Sequence, residues 1–292
     1  GRTQSYGAVS FALSRERLNA GYLSSGDLEA VMPGGTWVDI KKNARLPDRN
    51  IRHLQNTNGV YNLALGLPKL IPGIPSVANE HRDGRYEVTD YPETLPDLYD
   101  DSPPVEVERL WMRCRYLIGD EIDSASNLVI LPLGKIRVES QAITLDPECS
   151  PPCMRVSAHE PLQALTQKIS DSLEVAFARL SKLSHPWRLD GRPIDPAWLR
   201  DRMVQTDLSQ TLAELHHRTR LDVEPAILFE SLLVLAMRLC SSGGLSVPNL
   251  PLWEHDDPYK SFKRIGEIVV ALIDQLRSGP DSMAVFEQQQ GW

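Results

Sequence analysis

The sequence is short of cysteines, long apolar runs and basic clusters, and each shortage excludes a class of protein. Four cysteines in 292 residues, Cys114, Cys149, Cys153 and Cys240, are too few for a disulfide-framed secreted domain. They fit a reducing compartment, with the cytoplasm as default. Cys149 and Cys153 flank Pro151-Pro152 in a C-x3-C spacing, but a zinc site wants a second pair, and Cys114 and Cys240 are isolated. No stretch approaches the ~20 apolar residues of a membrane-spanning helix, so no membrane insertion is expected. Lys and Arg number 31 against 39 Asp and Glu, a formal net charge of −8. Without clustered Lys and Arg the chain lacks the phosphate-binding face of a nucleic-acid binder. G-x-S-x-G, P-loop and G-x-G-x-x-G motifs are missing too. No signal peptide is read at the start of this stretch; Gly1-Arg2-Thr3 opens without Met, so the chain is expected to be a processed or trimmed piece whose true start, with any targeting signal, lies outside it.

What remains is globular: 41% hydrophobic and 24% charged residues, at a length that allows two cores. Apolar spacing divides it. From His159 to Ser278 the apolar residues recur every three or four positions, the stripe that a helix buries. The first helix carries Leu162, Leu165, Ile169, Leu173, Ala176, Leu180 and Leu183; the second Val204, Leu208, Leu212 and Leu215. Leu228, Leu232, Leu235 and Leu239 mark the third, and Phe262, Ile265, Val269, Leu272 and Leu276 the fourth. Asp195-Pro196 and Asp257-Pro258 place a capping acid before a proline, whose missing N–H costs nothing in a first turn. Glu224-Pro225 opens the third helix with a weaker cap. Ser241 to Gly244 and Ser278-Gly279-Pro280 are stops.

Before about Pro152 the pattern is that of short strands between turns. Leu28 to Met32, Pro33-Gly34-Gly35 and Thr36 to Ile40 read as a hairpin. Val60 to Leu67, Tyr86 to Val88, a long strand from Val105 to Tyr116, Leu128 to Leu131, Gly134 to Val138 and Ala142 to Leu145 complete the set. The expected fold is α+β: an N-terminal antiparallel β-sandwich over 1–152, a four-helix bundle over 153–280 and a tail over 281–292.

Candidate chemistry is sparse. His255-Asp256-Asp257 is the densest polar cluster and could form half a metal site, with His216-His217 as a further source of ligands, giving a metal-dependent hydrolase on the helical domain. The plainer reading makes Asp257 a helix cap and His255-Asp256 loop anchors. Asp97-Leu98-Tyr99-Asp100-Asp101 lacks the glycine and spacing of a calcium loop and reads as solvated. His185-Pro186-Trp187 reads as a helix terminator. No catalytic, cofactor-binding or metal residues are assigned. Off the main stripes lie Val175, Phe177, Ile268 and Ile273, an apolar surface wider than one seam, which suggests burial against further copies.

Several stretches, taken together in order, resemble TssK, the baseplate subunit family of bacterial type VI secretion systems. Tyr6-Gly7-Ala8-Val9-Ser10-Phe11-Ala12-Leu13, with Leu18 and Gly21, is similar to its opening strand and turn. Leu95-Pro96-Asp97-Leu98-Tyr99-Asp100-Asp101 resembles its acidic loop, and Pro147 to Cys153 its Pro-Pro hinge. Glu224-Pro225 with Phe229 resembles its third helix, and Pro251 to Asp257 the entry to its fourth. Glu224 departs from the pattern, standing where a histidine is expected, so no role of that histidine carries over. The family's N-terminal lead-in and C-terminal domain are expected to be missing from this stretch. The resemblance implies a β shoulder and helical neck like those of phage receptor-binding proteins, in a cytoplasmic homotrimeric connector. It further implies partners in the TssF and TssG wedge and, through the C-terminal domain, the TssL and TssM membrane complex.

Overall fold

The computed structural model describes residues 6–79, 82–88, 92–96, 99, 103–183 and 196–277. The chain divides into two compact units, Gly1–His159 with His255–Asp257, and Glu160–Glu254 with Pro258–Trp292. The α+β organisation is the expected one, with strands first and long helices after. His255–Asp257 lies between two helices in sequence yet belongs with the strands.

In chain order the first unit contains β1 (Gly7–Leu13), α1 (Arg15–Asn19), β2 (Tyr22–Leu23), β3 (Ser25–Val31), β4 (Trp37–Asp39), β5 (Ala44–Arg45) and β6 (Arg49–Asn50). There follow β7 (Gly59–Pro68), β8 (Tyr86–Val88), β9 (Glu93–Leu95), β10 (Val105–Val107), β11 (Leu110–Arg113) and β12 (Arg115–Ile118). After these come α2 (Glu121–Ser124), β13 (Leu128–Glu139) and β14 (Ala142–Leu145). The largest sheet has the order β12-β7-β13-β14, all antiparallel. On β13 the buried Leu131, Leu133, Ile136 and Val138 are interleaved with the partly exposed Pro132, Lys135 and Arg137, whereas on β7 Leu63, Ala64, Leu65 and Leu67 fall in one run and are all buried. A strand covered on both sides reads as a continuous apolar run rather than an alternation.

The expected hairpin is β3 to β4, with Val31 opposite Trp37 and Ala30 opposite Val38. Gly34 and Gly35 take φ of 95° and 86°, left-handed values that side-chain-bearing residues avoid, and Met32 N–H donates to the Thr36 carbonyl at 2.8 Å to close the loop.

Three expectations change. The strand expected from Val105 to Tyr116 is β10, β11 and β12, each in a different sheet. The backbone there has three successive partners, β9, then β8 and β5, then β7, and changes sheet at Glu108-Arg109 and at Cys114. Alternation shows only that a segment is extended. The β5–β11 pairing is parallel, in an otherwise antiparallel set. The residues after Ser14 form α1, whose N-terminus is capped by the Ser14 hydroxyl accepting from Arg17 N–H at 3.3 Å.

The helical unit holds α3 (Glu160–Leu183), α4 (Pro196–Arg220), α5 (Pro225–Gly243) and α6 (Pro258–Arg277). Each packs against two others: α3 against α4 and α6, α5 against α4 and α6. The stripes read from sequence are the buried seams. Leu162, Leu173, Leu208, Leu228, Leu235, Phe262, Ile265 and Val269 are all at 0% exposure. α5 is long and apolar enough to cross a membrane by length and composition, against the expectation of no such segment. Its seam Leu228, Leu232, Leu235 and Leu239 is buried among the other helices. It ends at Gly244 in the left-handed conformation, with Leu245 N–H donating to the Cys240 carbonyl at 2.9 Å. Phe262 meets Phe229 and Trp253 edge to face, and those two rings are tilted against each other, with centroids 5.3–6.4 Å apart.

Leu235→Ala, at the centre of this packing, is expected to cost about 2–5 kcal/mol in chemical denaturation. A cost below about 1 kcal/mol would mean the seam is not a packed core.

Candidate functional site

Three of the motif stretches meet within the first unit. Tyr6-Gly7-Ala8 lies beside the Pro-Pro hinge: Ala8 N–H donates to the Pro152 carbonyl at 2.7 Å, and Met154 N–H to the Ala8 carbonyl at 2.8 Å. Pro151 and Pro152 have no N–H to give, so this pairing is a single parallel bridge, Ala8 with Cys153. Gly7 is required there. Its φ is 145°, and a Cβ would stand 2.6 Å from the Pro152 oxygen.

His255-Asp256-Asp257 closes on the same place. The Tyr6 hydroxyl donates to Asp256 Oδ1 at 2.8 Å, and His255 Nε2 lies 2.8 Å from the Tyr6 carbonyl. A carbonyl only accepts, so Nε2 carries the proton. The Tyr6 and His255 rings meet edge to face at 4.6 Å. Burial pushes the Tyr6 phenol up to about 12, with the hydrogen bond to Asp256 and the charge of Asp256 adding to it. Asp257 hydrogen-bonds the Cys149 thiol, which burial and the Asp257 charge raise to about 12. All three side chains of the suspected half-site therefore anchor a loop. Asp257 directly precedes Pro258 at the start of α6; its capping role remains a proposal. His216, the suspected further ligand, hydrogen-bonds Glu174 at 2.8 Å in the helical unit. Among the described residues no three or more His, Cys, Asp or Glu side chains are grouped to hold a metal ion.

His159 closes the first unit. It is 3% exposed, and neither ring nitrogen has a hydrogen-bond partner among the described residues. Burial lowers its pKa to about 4.

The residues expected to meet other copies separate. Val175 is 52% exposed, whereas Ile273 is buried at 8%; Phe177 and Ile268 are half-buried. Val175 and Ile273 come together, with Ala176, Leu180, Val204 and Val270, along a groove of about 890 Å3 formed by α3, α4 and α6. Charged residues including Lys168, Asp171, Arg179 and Asp274 edge it. Ile268 lies instead beside Leu250, Pro251 and Leu252. Asp195, His185-Pro186-Trp187, the stop at Ser278-Gly279-Pro280, most of the acidic loop 97–101 and the tail lie outside the described residues.

Sequence reasoning missed Tyr6 and His159. A lone tyrosine ahead of a strand has no periodic signature, and the partner of Tyr6 lies 250 positions away.

Set against known proteins, the sequence falls among bacterial type VI secretion components. The chain belongs to the family described as Bacterial Type VI secretion, VC_A0110, EvfL, ImpJ, VasE, whose model matches residues 1–291. Its fold is that of TssK. A chain of the TssK-TssF-TssG baseplate subcomplex is similar over 94% of this chain and 88% of its own, at a TM-score of 0.79 and 18% identity. TssK of the EAEC type VI secretion system matches at 0.73 and 17% identity, and a crystal structure of TssK at 0.78 and 19%. The chain spans 64% and 61% of the length of those two. No curated protein matches its sequence.

Gly7→Ala is expected to destabilise the protein by on the order of 1–3 kcal/mol, the cost of a strained backbone, in urea melts; an unchanged midpoint would contradict the close approach to Pro152. The titrating groups give two further outcomes. A phenol held above its unfolded pKa near 10 stabilises the fold below pH 10 and loses that contribution between pH 10 and 12. Tyr6→Phe should flatten the decline over that window. A histidine held below its unfolded value of 6.5 stabilises above pH 6.5 and loses that contribution as pH falls towards 4. His159→Gln should show a smaller loss of stability across that acid window, and an equal loss would refute the assignment.

Proposed function

We propose that the chain is a structural connector of a type VI secretion baseplate, cytoplasmic and homotrimeric, without catalytic activity. In this reading the β unit docks on the TssF and TssG wedge, and a C-terminal domain beyond this stretch reaches the TssL and TssM membrane complex. Membership of the type VI secretion family and the TssK fold support the baseplate role. The organisation proposed is a β domain over 1–152, a helical domain over 153–280 and a tail over 281–292.

The observation that carries the trimer is the groove beside Val175. Apolar side chains of three helices line it, and Val175 and Val270 remain exposed at 52% and 38% within one chain. Removing such area from water is favourable by ~25 cal/mol per Å2. Cyclic packing of three copies covers the groove on each, and a closed ring leaves none open. The metal-hydrolase alternative would need His255, Asp256 and Asp257 to turn from Tyr6 and Cys149 towards an ion, leaving those groups without them.

Light scattering coupled to size exclusion is expected to give about three times the 32.7 kDa monomer mass at micromolar concentration. Val175→Asp should return the monomer mass with unchanged circular dichroism. A wild-type monomer would overturn the trimer.

A further inference from the structure

The negative charge of this protein is concentrated in one stretch of its sequence. Residues 80–108 contain ten Asp and Glu against Arg82 and Arg85, a formal −8 that equals the net charge of the whole chain; the rest balances, with 29 of each sign. The same region supplies β9 and β10, a ribbon whose strands, among the described residues, pair only with each other. An isolated two-stranded ribbon is marginal in water. The described residues 92–96 and 103–110 are all exposed.

Its register sorts the side chains. Val105 stands opposite Leu95 and Val107 opposite Glu93, while Thr94 and Glu106 pair on the other face. One face therefore presents Leu95, Val105 and Val107, at 41%, 63% and 37% exposure, with Glu93 ion-paired to Arg109 at its margin. Three aliphatic side chains on an uncovered face, within a segment that holds the chain's entire net charge, make a docking surface of definite chemistry.

We infer that the β9–β10 ribbon docks a protein partner whose contact surface is apolar at its centre and basic at its rim. Resting on the baseplate reading above, the partner is the wedge formed by TssF and TssG. Aliphatic contact supplies the buried centre and Coulomb attraction orients the approach, so affinity falls with salt.

The test measures binding of the full chain to the co-expressed TssF–TssG wedge of the same organism, at roughly 0.1 M and roughly 1 M salt, between which the screening length drops from about 10 to about 3 Å. Wild-type affinity should fall by about tenfold or more. Glu106→Lys with Glu108→Lys should weaken binding by a similar factor at low salt and abolish most of the salt dependence. Leu95→Ser with Val105→Ser should weaken it at both salts. All four positions are exposed, so melting temperatures should hold; if the apolar variant melts early, the charge variant decides. Wild-type binding that neither variant changes leaves the wedge reading standing and overturns the ribbon. Absence of wild-type binding overturns both. A change of self-association in the variants, with wedge binding intact, assigns the ribbon to a second copy and overturns the wedge as its occupant.

Discussion

One short parallel bridge has far-reaching effects on the β unit. Ala8 exchanges hydrogen bonds with Pro152 and Met154, and it can do so only because Gly7 has no side chain to meet the Pro152 carbonyl. That bridge brings the first strand against the segment that leads out of the last one. Tyr6, one residue earlier, then offers its carbonyl to His255 and its hydroxyl to Asp256. Segments separated by about 140 and 250 positions are thus held by Ala8 and by Tyr6, an aromatic with a polar tip, with Gly7 between them leaving room for the approach. Neither bond is strong alone, since a hydrogen bond contributes ~1 kcal/mol net in water. Their strength lies in number and in the absence of slack between them.

That arrangement explains why His255-Asp256-Asp257 resembled chemistry. Acidic and histidine side chains in sequence suggest an ion because both coordinate metals, but the same groups are good partners for a phenol, a carbonyl and a thiol. Spacing along the chain does not choose between the two. The choice is made by Tyr6 and Cys149, which no local pattern connects to position 255. The buried His159 is likewise invisible in sequence, because burial is a property of what packs over a residue.

The helices were legible almost in full. Their seams obey a 3.6-residue period over 19 to 25 residues, long enough that no competing pattern fits, and the predicted apolar positions with described side chains are buried or half-buried. The strands were legible as extended segments but not as sheets. Val105 to Tyr116 reads as one extended segment and yet serves three sheets, since register and partner depend on residues far away in sequence. Of the four residues expected to meet other copies, Val175 and Ile273 line a common groove, while Ile268 lies beside Leu250, Pro251 and Leu252 and Phe177 is half-buried. An off-stripe position on a helix says that a second face is apolar. It does not say which second face.

We propose that copies of the chain meet at the groove of α3, α4 and α6. Amide hydrogen exchange at two protein concentrations, above and below the dissociation of the assembly, tests that most directly. Protection that rises with concentration along 168–182 and 270–276, with the β strands unchanged, is the predicted result. Exchange in those segments that is indifferent to concentration would contradict it.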